Sequence, residues 1–135
     1  MSRKIKFRGL TKANNVMVFG DLIHCPNGSH RIIGYEQKGE IPLDVDYNDF
    51  NELIQSSTIG EFTGLHDKNG VEIYEGDILA FEQEKNFKKV FIHHFEIKWN
   101  NDRAAWTQFS PLELIVVVGN IYQNPELLTS KTTQS

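Results

Sequence analysis

The tetrapeptide Asp67-Lys68-Asn69-Gly70 is the feature that most narrows what this chain can fold into. Asp suits the first position of a tight turn because its carboxylate accepts from backbone N–H groups ahead of it. Gly suits the last position because a left-handed backbone costs it little. On one side lie Phe62, Thr63 and Leu65; on the other, Val71 and Ile73 alternate with Glu72 and Tyr74. Two apolar strand patterns around a turn of this chemistry predict a β-hairpin at about 60–75. Gly76-Asp77 breaks the pattern, and Ile78-Leu79-Ala80-Phe81 begins a further strand.

The stretch has an echo. Phe7, Gly9, Leu10, Asn14 and Val16 stand in the same spacing as Phe62, Gly64, Leu65, Asn69 and Val71. The two runs slip by one residue at Glu75, after which Gly20-Asp21-Leu22-Ile23 answers Gly76-Asp77-Ile78-Leu79. Asn15 stands where the later copy has Gly70, and Asn is the residue that next best tolerates a left-handed backbone. A second hairpin is therefore expected at about 5–19, as one half of an internal duplication, 6–23 with 61–79. Shared turn chemistry between unrelated hairpins is the competing explanation.

With 135 residues, 39% hydrophobic and 24% charged, the chain suits one domain over 1–128, or two small halves sharing one core. The lone Cys25 excludes an internal disulfide and fits a reducing compartment. The start, MSRKIKF, has no apolar segment of a signal peptide, and no run approaches the roughly 20 residues of a membrane span. A cytoplasmic protein without membrane contact is expected. The net charge of −4 argues against a dominant phosphate-binding surface. Two local basic clusters remain: Arg3, Lys4, Lys6 and Arg8, and then Lys85, Lys88 and Lys89. Strand alternation turns Ile5 and Phe7 inward and Lys4, Lys6 and Arg8 outward, as a solvated face or as a nucleic-acid contact.

Elsewhere, 24–45 is rich in turn formers and the least readable part, with a short strand at Arg31–Tyr35. Tyr47, Phe50, Leu53 and Ile54 recur at helical spacing and predict a helix within Leu43–Ser57. A polar break is expected at Glu84–Lys89. Val90–Trp99 alternates and should pair with Ala104–Phe109 as a further hairpin at about 90–109. Leu114–Val118 reads as a buried strand. Asn124-Pro125-Glu126 opens a short helix, with Leu127 and Leu128 on the core, and 129–135 is expected to be a mobile tail. The fold class is mainly β, irregular, with two short helices.

Candidate sites are few. His24, Cys25 and His30 lack the spacing of a zinc site, and the adjacent His93 and His94 point to opposite faces of a strand, His93 toward the core. Asp21 and Asp77 hold equivalent positions in the echo. As a pair they could bind a cation or act as acid and base; singly, each would accept backbone hydrogen bonds at a turn. Trp99, Trp106 and Phe109, with Lys98 and Arg103, form either a stacking platform for single-stranded nucleic acid or a core edge and subunit contact, the reading we prefer. No catalytic, cofactor-binding or metal-binding residue is assigned.

The central stretch, together with the run from Val118 to Leu128 (VGNIYQNPELL) and the opening Ile5-Lys6-Phe7-Arg8, resembles the YopX family of phage and prophage proteins. Leu10 stands where that family commonly has an aromatic, while 25–51 and 82–110 show no resemblance. The resemblance implies a phage or prophage product with an irregular strand-rich fold and self-association, and it carries no catalytic residues to transfer. A non-enzymatic interaction module is expected, forming a homo-oligomer or meeting a host or phage protein. The alternative is a nucleic-acid-binding module using Arg3, Lys4, Lys6, Arg8, Lys98, Trp99, Arg103 and Trp106; a metal-dependent enzyme is third. Excess strand edges, with apolar residues on both faces at Val90-Phe91-Ile92 and Ile115–Val118, also point to self-association.

Overall fold

The computed structural model describes residues 4–34, 50–109 and 111–129. The chain divides into two compact units, Met1–Glu61 and Phe62–Ser135. The boundary falls just before Phe62, so each unit holds one copy of the echoed hairpin.

In the first unit, β1 (Phe7–Leu10), β2 (Met17–His24), β3 (His30–Gly34) and β4 (Phe50–Ile54) form an antiparallel sheet in the order β4-β3-β2-β1. The first residues of β5 (Gly60–His66) pair with the free side of β1, Gly60 opposite Arg8 and Glu61 opposite Phe7. The β1–β2 turn is closed by Thr11, whose Oγ1 accepts the Val16 N–H at 3.1 Å, and Asn15 takes the left-handed conformation expected of it, φ 57°. Leu10, Ile32 and Ile54 make the core. Gly9 allows this packing: a Cβ there would lie 2.5 Å from Ile54 Cγ2.

Two expectations fail in this unit. β1 does not alternate between solvent and core. Ile5 is 67% exposed and Arg8 is 6% exposed. With a strand on each side, β1 is central and buries Arg8, Gly9 and Leu10 in succession, so a period-two reading assigns the wrong outward face. The helix expected at Leu43–Ser57 is also corrected where it is described. Residues 50–54 are β4, fully paired with β3, and 56–58 is one 3-10 turn; 43–49 lies outside the described residues. Long-range pairing with β3 overrides a local three-and-four spacing that rests on only a few apolar residues.

In the second unit the rest of β5 pairs with β6 (Glu72–Tyr74), and Gly70 turns through φ 86°. Asp67, 6% exposed, accepts the N–H of Asn69 at 2.8 Å and of Val71 at 2.9 Å on Oδ1, and the N–H of Val117 at 3.0 Å on Oδ2. A three-stranded sheet follows, β11 (Ile115–Asn120), β7 (Asp77–Lys85) and β8 (Lys88–Glu96), with β7 central. Ile73, Leu79, Ile97 and Ile115 form its core, with Phe81, Phe95, Trp106, Phe109 and Val117 packed around them. β9 (Trp99–Asn100) and β10 (Ala105–Trp106) make a small separate ladder, and α1 (Glu126–Thr129) follows.

Here β8 pairs along its length with β7, so only the end of the expected 90–109 hairpin forms, Trp99 opposite Trp106. The expected polar break at Glu84–Lys89 is a continuous hairpin instead, turning at Asn86-Phe87. His93 is exposed, not core-facing, because β8 bulges there: Leu79 faces Phe95 and Phe81 faces Ile92, leaving His93 and His94 opposite Ala80, with φ 57° at His93. α1 is the one α-helix among the described residues; Leu127 is half-buried and Leu128 is 38% exposed. Of the expected tail only Thr129 is described, as the end of α1.

Removing the Asp67 carboxylate strands three backbone N–H groups together. Asp67→Ala should lower unfolding free energy by about 3 kcal/mol in urea titration, since hydrogen bonds to charged groups and buried unpaired donors are each worth about that much. Asp67→Asn keeps one accepting oxygen and should lose less; equal losses would show that the amide fails to replace either half.

Candidate interaction surface

The sites foreseen in the sequence are brought together unequally. Of the basic N-terminal group, Arg3 lies outside the described residues, Lys4 is exposed, Lys6 is half-buried and Arg8 is buried. They do not form a solvated cationic strand face. Asp21 and Asp77 occupy different environments. Asp21 is exposed in mid-strand opposite Ile33, whereas Asp77 is 1% exposed and its Oδ2 accepts the Tyr74 N–H at 2.7 Å. The turn-closing role therefore holds for Asp77. β2–β3 pairing sets His24 opposite His30, ring centroids 4.6 Å apart, and His30 Nδ1 lies 2.6 Å from Ser56 Oγ. Among the described residues no three His, Cys, Asp or Glu side chains converge as metal ligands.

The tryptophans do converge. Trp99 and Trp106 are cross-strand neighbours with ring centroids 5.0 Å apart at 75°, an edge-to-face pair. Trp106 packs on the core, and its Nε1 is shielded from solvent without a hydrogen-bond partner among the described residues. Trp99 is 44% exposed. Thr107 Oγ1 accepts the Lys98 N–H at 2.8 Å, and Asn100 Oδ1 accepts the Arg103 N–H at 3.1 Å; these bonds fix the hairpin that carries both cations. A groove of about 700 Å³ is lined by Lys98, Trp99, Arg103, Trp106 and Gln108 among others. Gln108 also lines a cavity of about 480 Å³ walled by Phe81, Phe95 and Phe109. Large aromatic area, two cations and an adjoining cavity walled by three phenylalanines and Gln108 suit recognition.

One feature escaped the sequence reading. β11 pairs with β7 only as far as Phe81, and beyond it β7 and β8 continue as a two-stranded arm. Its tip, Asn86-Phe87, has φ 54° and 64°, a turn with both central residues left-handed, and Phe87 is 98% exposed. Such turns favour Asn-Gly. A bulky side chain in that conformation costs roughly 1–2 kcal/mol, and Phe in place of Gly hid the turn. The signal available was Asn86, the same residue type read correctly as left-handed at Asn15. At the base of the arm Lys68 hydrogen-bonds Glu82, and the Lys89 ammonium lies 4.0 Å from the same carboxylate.

The sequence profile of the family described as YopX protein matches residues 6–129. The crystal structure of protein EF1440 from Enterococcus faecalis is similar, with a TM-score of 0.57 and 26% sequence identity, covering 94% of this chain and 99% of that one. No curated protein matches the chain.

The Lys68 hydrogen bond, with the Lys68 and Lys89 charges, holds the Glu82 carboxyl below its ordinary value against the opposing effect of burial. A carboxyl with a depressed folded pKa stabilises the fold above the unfolded carboxylate range, and that contribution fades as pH falls through the lowered pKa. NMR titration of Glu82 should show the low midpoint, and Lys68→Met should move it up toward the ordinary value. A midpoint that stays put would assign the shift elsewhere.

Proposed function

The chain belongs to the YopX family, and from that premise we propose that it is a non-enzymatic interaction module of phage or prophage origin, working in the bacterial cytoplasm. The observation that carries this reading is the Trp99/Trp106 hairpin. Trp106 is anchored to the core while Trp99 stands 44% exposed above a groove with Lys98 and Arg103 beside it. A tryptophan with one neighbour fixed and one face open is the kind of residue around which interface energy concentrates. The occupant we favour is a second copy of the chain. Both apolar strands singled out above, β8 and β11, lie at the margins of their sheet rather than at its centre. Phe91 on β8 is 42% exposed, which adds to the apolar area a neighbour would cover. No helix among the described residues is long and apolar enough to cross a membrane.

Light scattering at micromolar concentration tests the reading. The mass should exceed the 15.5 kDa of one chain, and Trp99→Ala should return it toward that value with the fold retained. A single-chain mass unchanged on concentration would overturn self-association. A Trp99→Ala variant as large as the parent would move the interface away from this hairpin.

A further inference from the structure

The tip of the β7–β8 arm carries three local penalties within four residues. Phe87 occupies a left-handed position that suits glycine. Its ring is 98% exposed, with both faces bare. Lys85 and Lys88 are direct cross-strand partners, so two ammonium groups sit side by side on one face of the ribbon. The next pair on that face is Gln83 with Val90, which brings no carboxylate. The arm's acids lie on the other face: Glu84 is opposite Lys89, and Glu82 is held by Lys68. A polar residue or glycine at 87, and an acid at 85 or 88, would remove every one of these penalties.

One class of partner relieves the last two together: a ligand that places an anion beside a flat apolar slot. A nucleic acid does so at every step, with a phosphate next to a base stack. The reach agrees. Two-stranded β-ribbons dock in the minor as well as the major groove, and four residues a side beyond Phe81 give a reach of roughly 13 Å, more than the roughly 7.5 Å depth of the minor groove. Exposed phenylalanines act as wedges between base pairs in proteins that read the minor groove. We propose that the arm is a nucleic-acid contact: Phe87 enters a base step of a duplex while Lys85 and Lys88 hold the adjoining phosphates. The site is separate from the Trp99 hairpin; the sequence shows its lysines as a basic cluster, but neither the turn nor Phe87 at its tip. The overall charge of −4 repels a polyanion at long range, so the contact is local, weak and short.

The test uses the whole chain and a short DNA duplex with 2-aminopurine beside a flexible pyrimidine–purine step. Binding at low salt should brighten the probe as its base unstacks. The logarithm of affinity should fall with the logarithm of salt at a slope of about −1.8, for two phosphates neutralised. Lys85→Met with Lys88→Met should flatten the slope toward zero. Phe87→Gly is the deciding variant, because glycine relieves the turn. Its melting temperature should hold or rise while the 2-aminopurine signal is lost, a pairing that a structural role for Phe87 would not produce. The proposal is overturned if the duplex fails to bind at low salt, if Phe87→Gly binds and brightens the probe like the parent, or if Phe87→Gly melts lower. Association with vesicles of anionic phospholipid in place of the duplex would equally overturn it and assign the arm to a membrane surface.

Discussion

The carboxylate of Asp67 holds the second unit together at a point where two chain segments would otherwise leave three donors unpaired. One oxygen closes the turn between β5 and β6 by accepting from Asn69 and Val71; the other reaches fifty residues along the chain to the N–H of Val117. The neighbouring Lys68 N–H is accepted by the Ile115 carbonyl at 3.0 Å. β11 thus has β7 on one side and the turn on the other. With β11 fixed, Ile115 is positioned to complete the cluster with Ile73, Leu79 and Ile97. A buried carboxylate that accepts three backbone N–H groups is satisfied in a way that one facing an apolar pocket is not, which is how a charge comes to sit at 6% exposure.

The central and C-terminal stretches of the resemblance meet in the same unit and are occupied in building it. Gly76, at φ 92°, lies under Tyr122: a Cβ there would come 3.1 Å from the ring, and the Gly76 carbonyl accepts the Ile121 N–H at 2.9 Å. A Cβ on Gly119 would strike Asn124 Oδ1 at 2.6 Å. Asn120 Oδ1 accepts from Tyr122 and Gln123, and Asn124 Oδ1 accepts the Asn120 N–H. The GN…NP run is therefore a hydrogen-bonded loop whose glycine makes room for an asparagine. These residues build the fold, whereas the exposed aromatics of the Trp hairpin and the arm, Trp99 and Phe87, lie elsewhere in the matched stretch.

Sequence reasoning succeeded where the chemistry is local. Gly70 and Asn15 turn as their φ preferences require, and the strands at 30–34 and 115–120 and the helix after Pro125 are found where patterning places them. It failed where the deciding partner is distant. Arg8 is buried because β5 pairs on its far side, and 50–54 is extended because β3 holds it; neither neighbour is visible in a short window. The echo between 6–23 and 61–79 shows both regimes. Asn15 and Gly70 share a left-handed turn, and Val16 and Val71 are each 48% exposed. The single extra residue, Glu75, then separates them: Gly20-Asp21 continues a long strand, while Gly76 turns the chain so that Asp77 can begin a new one. Of the candidate site, Trp99 and Trp106 were legible from spacing, but the arm was not, because its turn carries Phe where turn chemistry leads one to look for Gly.

The three-stranded sheet ends in two differently closed margins. On β11 the outward Ile115 carbonyl and Val117 N–H are already taken by the Lys68 N–H and the Asp67 carboxylate. On β8 the bulge at His93 breaks the ladder's even spacing, and Lys88 and Lys89 charge the part nearest the tip. Each is a recognised defence against strand addition. A sheet so bounded resists the edge-to-edge growth that leads to fibrils. At this sheet a neighbouring chain would meet side chains and not a free backbone ladder.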